Sequence, residues 1–246
     1  MKLTVLGKYG PFPAPMGACS GYLVESGSAS LVLDLGSGTL GRLRSIKPDI
    51  AVDAIILTHL HSDHMSDMLV LRYALEQLKA RGIDVPMPLS VVSPSEPQNE
   101  FRQLSASGVY NMLAAADGMK LKLNDMSIML HRMTHPAVSY AVSVQCGAKR
   151  LVYTGDTGYN IMLDKVCEGA DLLLADTCFL SADKTVENAP HMTAREVGSL
   201  AKRCRVKKLL CTHIWAGGYD ERTILDEVRE DFPRAAIAEE MKTYTV

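Results

Sequence analysis

Ile55-Ile56-Leu57-Thr58-His59-Leu60-His61-Ser62-Asp63-His64-Met65 passes from an apolar, β-branched run into four metal-capable side chains within six residues. The run reads as a buried strand that stops abruptly. His59 and His61 are two positions apart, so in an extended segment their rings leave on the same side and can share one ion. Asp63 and His64 fall where the pattern becomes helical, with Met65, Met68, Leu69, Leu71, Leu75 and Leu78 spaced for an amphipathic helix packed on a core. They leave at a different angle from the first pair. One segment thus offers ligands in two directions, which suits two neighbouring metal ions. A lone histidine beside a strand is usually structural; three with an aspartate at this density mark a metal site.

Around this stretch the chain is ordinary. Its 246 residues are 47% hydrophobic and 22% charged, with a formal net charge of −2. A core of good size follows from that length. The near-neutral balance gives no general attraction to nucleic acid or membrane. The densest basic cluster, Lys202 to Lys208, reads as a helix end and the start of a strand, since cations are favoured at helix C-termini. The six cysteines, at 19, 146, 167, 178, 204 and 211, form no CxxC pair, and MKLTVLGKYG is too short and mixed for a secretory signal. Reduced thiols and a cytoplasmic protein are expected, without a membrane span.

Strands are expected at 2–6, 20–25, 30–34, 89–92, 119–123, 126–133, 138–145, 150–153, 171–175 and 209–213, with two short strands at the end. Helices are expected at 62–79, to about 104, at 161–167, 193–204 and 221–230. The segments 10–17 and 108–118 read as irregular loop, the latter with a short helix as the alternative. Gly36, Gly38 and Gly41 fit G-x-G-x-x-G, but the next strand ends in Thr58-His59 where a dinucleotide site would need an acidic residue. These glycines read instead as a tight turn exposing amides near the site.

Five apolar strands deliver a ligand-type residue at their carboxyl ends: Asp34, His59, Asp156, Asp176 and His213. Sites collect at such ends, so one shared cleft is expected. Counting imidazoles divides the ligands into two sets. His59, His61 and His135 serve one ion, and Asp63, His64 and His213 the other, with the Asp156 carboxylate between them. Such sets fit two divalent ions, zinc above all, while manganese or iron would fit the same donors. Asp34 is placed to brace a ligand imidazole. His131 is left over and reads as structural.

Thr58-His59-Leu60-His61-Ser62-Asp63-His64, then His135, Thr154-Gly155-Asp156 and Thr212-His213, resembles the full dinuclear set of the metallo-β-lactamase superfamily, in order across nearly the whole chain. The resemblance implies an α+β fold, a four-layer αββα sandwich, as a single domain over residues 1–246. Aspartate at 156, where the β-lactamases carry cysteine, places the chain among the other hydrolases. Ala189-Pro190-His191-Met192-Thr193-Ala194-Arg195-Glu196 is most similar to the ribonuclease Z-like phosphodiesterase branch. There His191 matches an extra histidine thought to assist at the scissile phosphate, and Asp176 an acidic residue that orients it. The physical reading agrees: Thr193 and Glu196 make a capping box, which puts His191 just before a helix N-terminus whose amides favour an anion.

The transfer RNA-binding arm of that branch has no room here, because His135 and Asp156 are only 21 positions apart. A small phosphodiester such as a cyclic phosphate or cyclic nucleotide is the expected substrate, rather than nucleic acid. In that hydrolysis Asp63 orients or deprotonates a metal-activated water, and His191 stabilises the developing charge or protonates the leaving oxygen. Thioester, lactone or sulfate-ester hydrolysis on the same site is the alternative, followed by transfer RNA 3′-processing. A diiron oxidoreductase would carry glutamate at position 61, and a metal-binding sensor without turnover would waste a complete ligand set. Loops 10–17, 94–118 and 180–190 carry no motif that names a substrate. Relatives of this kind often dimerise, so a homodimer is compatible with the sequence.

Overall fold

Alternation along the strands sorts their side chains into layers. In Ser30–Leu35, Leu31 and Leu33 enter a core between two sheets, whereas Val32 and Leu35 turn to the opposite face and pack beneath helices. The same division recurs in Leu172–Asp176: Leu172 and Leu174 face the first core, Leu173 and Ala175 a third one. A strand buried on both faces must lie inside a layered molecule, which is why these segments read as unbroken apolar runs.

The structure is a computed structural model and describes residues 1–186, 189–218 and 220–246. Glu187 and Asn188, in the expected 180–190 specificity loop, therefore lie outside the described residues. The first half contains β1 (Lys2–Gly7), β2 (Tyr9–Gly10), β3 (Gly21–Glu25), β4 (Ser30–Leu35), α1 (Thr39–Ile46), β5 (Ala54–Ile56), α2 (Ser62–Ala80), β6 (Leu89–Ser93), α3 (Gln98–Ser105) and β7 (Tyr110–Ala114). The second contains β8 (Lys120–Leu123), β9 (Met126–Arg132), β10 (Tyr140–Cys146), β11 (Lys149–Tyr153), α4 (Met162–Cys167), β12 (Leu172–Asp176), α5 (Ala194–Arg203), β13 (Leu209–Thr212), β14 (Ile214–Trp215), α6 (Glu221–Arg229), β15 (Ala236–Ile237) and β16 (Thr243–Thr245).

One sheet runs β16-β1-β3-β4-β5-β6-β7 and the other β15-β13-β12-β11-β10-β9-β8. Leu40 and Leu43 of α1, Met65, Met68, Leu71 and Leu75 of α2 and Leu104 of α3 cover the outer face of the first. Leu163 and Val166 of α4, Val197 and Leu200 of α5 and Ile224 and Val228 of α6 cover that of the second. The result is the expected αββα sandwich of mixed sheets. β4 through β7 and β11, β12, β13 and β15 are parallel runs. Their carboxyl ends carry the chemistry.

Two readings need correction. Residues 110–114 are neither loop nor helix but β7, an edge strand paired in parallel with β6. Its pattern is weak because an edge strand buries little: within Tyr110–Ala114 only Tyr110 is buried. The amides of the glycine turn are not open to a ligand either. Leu40 N donates to Asp67 Oδ2 at 2.8 Å, so the start of α1 is capped from α2. What Gly36 supplies is closeness: a Cβ there would overlap the Asp63 carbonyl, so its absence lets α2 begin against β4.

Candidate metal centre

Each ligand is placed by the end of an element. β5 runs out into Thr58 and His59, α2 begins with Ser62-Asp63-His64, β11 leads to Asp156 and β13 into His213. Asp34 and His213 both take left-handed backbone, with φ of 57° and 54°. That conformation is costly for a residue with a Cβ and recurs where a side chain must be aimed.

The donor atoms gather in two sets that share Asp156. In the first, His61 Nδ1 lies 3.0 Å from His59 Nε2 and 3.2 Å from His135 Nε2. In the second, His213 Nε2 lies 3.1 Å from Asp63 Oδ2 and 3.2 Å from Asp156 Oδ2, and His64 Nε2 is 3.2 Å from Asp156 Oδ1. Within each set the ligand atoms lie within 4.8 Å of one another. The structure thus brings together all seven residues grouped from the sequence, in the same two groups. His131 is not among them; its Nε2 lies 3.0 Å from Ser143 Oγ on the outer face of the second sheet.

These residues suit divalent ions on chemical grounds. Asp63 and Asp156 are buried, and among the described residues no lysine or arginine pairs with them. His64 Nε2 and Asp156 Oδ1 face each other at 3.2 Å, yet both are buried and neither makes a well-formed hydrogen bond among the described residues. Buried charge without compensation is expensive, and a cation held among the imidazoles removes the cost. The titrations express the same demand. Burial opposes the charges of Asp63 and Asp156, yet the surrounding histidines hold both carboxyls below the usual range. Burial likewise opposes protonation of His64 and His213, but the carboxylates around them raise both well above an ordinary imidazole. In the first set burial and the neighbouring imidazoles keep His59, His61 and His135 low, in the neutral form that binds metal.

The surrounding groups orient the ligands. Asp34 Oδ2 lies 2.8 Å from His64 Nδ1 and accepts from Tyr153 Oη at 2.8 Å, while Thr58 N and Oγ1 also donate to the carboxylate. His135 Nδ1 is 3.0 Å from the Pro190 carbonyl, and Thr58 Oγ1 is 3.2 Å from His59 Nδ1. Thr58 and Pro190 stand in the sequence motifs, but neither they nor Tyr153 shows an orienting role there; only the adjacency of Thr58 to His59 and of Tyr153 to the 154–156 turn signals two of them. Asp176 does more than expected. Its Oδ2 lies 2.9 Å from His191 Nδ1, in a hydrogen bond, and its Oδ1 3.5 Å from His213 Nδ1, at ion-pair distance without one, so one carboxylate faces both rings.

His191 stacks on His213 with centroids 5.0 Å apart and meets His135 at 5.3 Å. Burial opposes its charge, but Asp176 outweighs this and raises the imidazole. The helix beside it behaves differently from the expectation. The capping box is present, but Ala194 N donates to the Phe179 carbonyl and Glu196 N to Thr193 Oγ1. Those two amides are taken up in holding α5. His61 is exposed, so the centre opens to solvent on that side.

Comparison with known proteins places this geometry. Residues 32–214 match the family described as the beta-lactamase superfamily domain. The Bacillus subtilis protein called probable metallo-hydrolase YhfI is 33% identical over 87% of each chain. The crystal structure of YhfI, a metallo-beta-lactamase fold protein, superposes with a TM-score of 0.92 at 31% identity, covering 99% of this chain and 98% of that one. A protein of Ignicoccus hospitalis named ribonuclease Z is 23% identical over 98% of this chain and 96% of its own.

Proposed function

Because this chain belongs to the beta-lactamase superfamily and is a metallo-hydrolase, we propose that it is a dinuclear, zinc-dependent phosphodiesterase acting on a small or cyclic phosphodiester. His59, His61, His135 and Asp156 would hold one ion, and Asp63, His64, His213 and Asp156 the other. Bound there, the ions supply Lewis-acid chemistry, an acidified water and a counter-charge for a phosphoryl oxygen.

The remaining work falls to the chain's own groups. Asp63 sits between His64 and His213 and would accept the proton of the attacking water. Asp176 favours the protonated form of His191 and engages its Nδ1, so Nε2 would be the nitrogen that donates. As the new P–O bond forms and the ester P–O bond breaks, that proton passes to the leaving oxygen. Asp34 fixes the His64 ring, and Asp176 fixes His191 while its second oxygen faces His213 at 3.5 Å.

The observation that carries this reading is the placement of His191, an imidazole held by the buried Asp176 carboxylate at 2.9 Å against the rings of His135 and His213 at the lip of the ligand cluster. Esters that develop no phosphate charge have less use for it. The name of the Ignicoccus relative runs in the same direction. Small substrates are favoured because only the hairpin β10–β11 separates His135 from Asp156, with no arm. The basic cluster is also spoken for: Lys202 pairs with Asp231, Arg203 with Asp164, Arg205 with Glu168 and Lys207 with Asp171.

Hydrolysis of bis(p-nitrophenyl) phosphate, with metal content determined on the same sample, tests the proposal. Turnover with about two metals per chain, abolished by chelation, supports it. Two bound metals with no turnover would reject the phosphodiesterase assignment and turn attention to thioesters and lactones.

A further inference from the structure

Phe12 and Trp215 meet edge to face, with ring centroids 5.4 Å apart at 68°. They come from opposite ends of the chain, and the pairing of β2 with β14 joins them, with Trp215 opposite Gly10. This small ribbon lies against the metal centre. Gly10 packs so closely on His213 that a Cβ there would overlap the ring nitrogen Nε2, one of the ligand atoms. Trp215 follows His213 by two residues, and Gly217 underlies the indole, where a Cβ would overlap the ring. Gly10 therefore borders the second ligand set, with Trp215 two residues from His213 and Phe12 two residues from Gly10.

The pair is also held in place. Arg42 donates to the carbonyls of Leu6 and Met16 and pairs with Glu240, which accepts from Ala18 N, so both ends of the 10–17 loop are anchored. Phe12 nonetheless remains 45% exposed. An aromatic ring kept in solvent on an anchored loop beside a metal centre contributes little to any core. It does offer a π-face to a ligand.

We infer that the exposed ring of Phe12, buttressed edge to face by Trp215, is a stacking platform for the base of a nucleotide phosphodiester, and so sets substrate specificity. The inference rests on the phosphodiesterase reading for the phosphate group; the platform adds the requirement for a flat heterocycle. Stacking of a base on an aromatic side chain changes binding about 5- to 150-fold and tolerates different bases, because every base has a π-face.

Trp215 is the only tryptophan in the chain, so its fluorescence reports on the platform directly. Metal-loaded protein is titrated with adenosine 5′-monophosphate and with ribose 5-phosphate, which carries the same phosphate without the base. Calorimetry on the same samples gives the affinities. Saturable quenching by the nucleotide alone is expected, with a Kd about 5- to 150-fold below that for ribose 5-phosphate. Phe12→Ala should remove most of this preference and Phe12→Tyr restore it, which separates stacking from a loosened loop. Equal affinity for the two ligands, or unchanged nucleotide binding by Phe12→Ala, overturns the platform and leaves the phosphodiesterase reading intact. Base-dependent quenching in a protein inert toward bis(p-nitrophenyl) phosphate supports the platform and rejects the phosphodiesterase assignment instead.

Discussion

His61 and His191 are both imidazoles at the opening of one cluster, and their partners separate their work. His61 Nδ1 faces two other ring nitrogens, so His61→Ala should lose metal, read as metals per chain after dialysis. His191 is tied to a carboxylate instead; His191→Ala should keep its metal and lose about 10²- to 10⁴-fold in kcat. Equal metal loss in the two variants would show that this division of roles is wrong. Asp34 touches His64 from behind, and Asp34→Asn should weaken metal binding about 10- to 100-fold in competition with a chelator. The ligands were legible because imidazoles and carboxylates at strand ends have few structural uses. Tyr153 and Thr58 were not, since a tyrosine or threonine in a strand is ordinary until the fold places Asp34 beside it.

At the scale of elements, strand order converts these residues into a cleft. Asp171, at the head of β12, accepts from Arg150 N at 2.9 Å and Lys207 Nζ at 2.9 Å, tying β11 and β13 to the strand between them. Burial opposes its charge, but Lys207, Arg150 N and Lys149 hold the carboxyl down to about 2. A carboxyl lowered on folding stabilises above its unfolded pKa of about 4, and the contribution fades as pH falls toward the folded value. Asp171→Asn should therefore lower the urea midpoint at pH 7, and the difference from wild type should shrink by pH 2.5. The capping box of α5 gives a second expectation. Thr193→Ala should cost about 1 kcal/mol in urea unfolding. It should also reduce kcat by displacing His191, two residues away. The box was readable from Thr193 and Glu196 because capping is local chemistry; the use of its neighbouring amide by the Phe179 carbonyl was not, because that contact crosses elements.

Over the whole molecule, the three apolar cores are built from side chains other than the metal ligands. Chelation should leave far-UV circular dichroism at 25 °C unchanged while lowering the thermal midpoint. An ion present at 100 times its Kd stabilises by about 2.7 kcal/mol, which corresponds to about 5 to 10 °C in a chain of this size. Global unfolding on chelation would mean instead that the centre holds the sandwich together. Among the described residues no helix is long and apolar enough to cross a membrane.

Periodicity and ligand chemistry were written into the chain: apolar runs ending in His59, Asp156 and His213 specify buried strands, and the donor types specify a metal. These are short-range properties, set by a residue and its near neighbours. Three features waited for the folded molecule: β7 at the sheet edge, Asp176 shared by His191 and His213, and Phe12 against Trp215 across 203 positions of chain. Each is a contact between distant segments. Such contacts depend on which strands become neighbours, a choice made by burial of the combined core rather than by any local pattern.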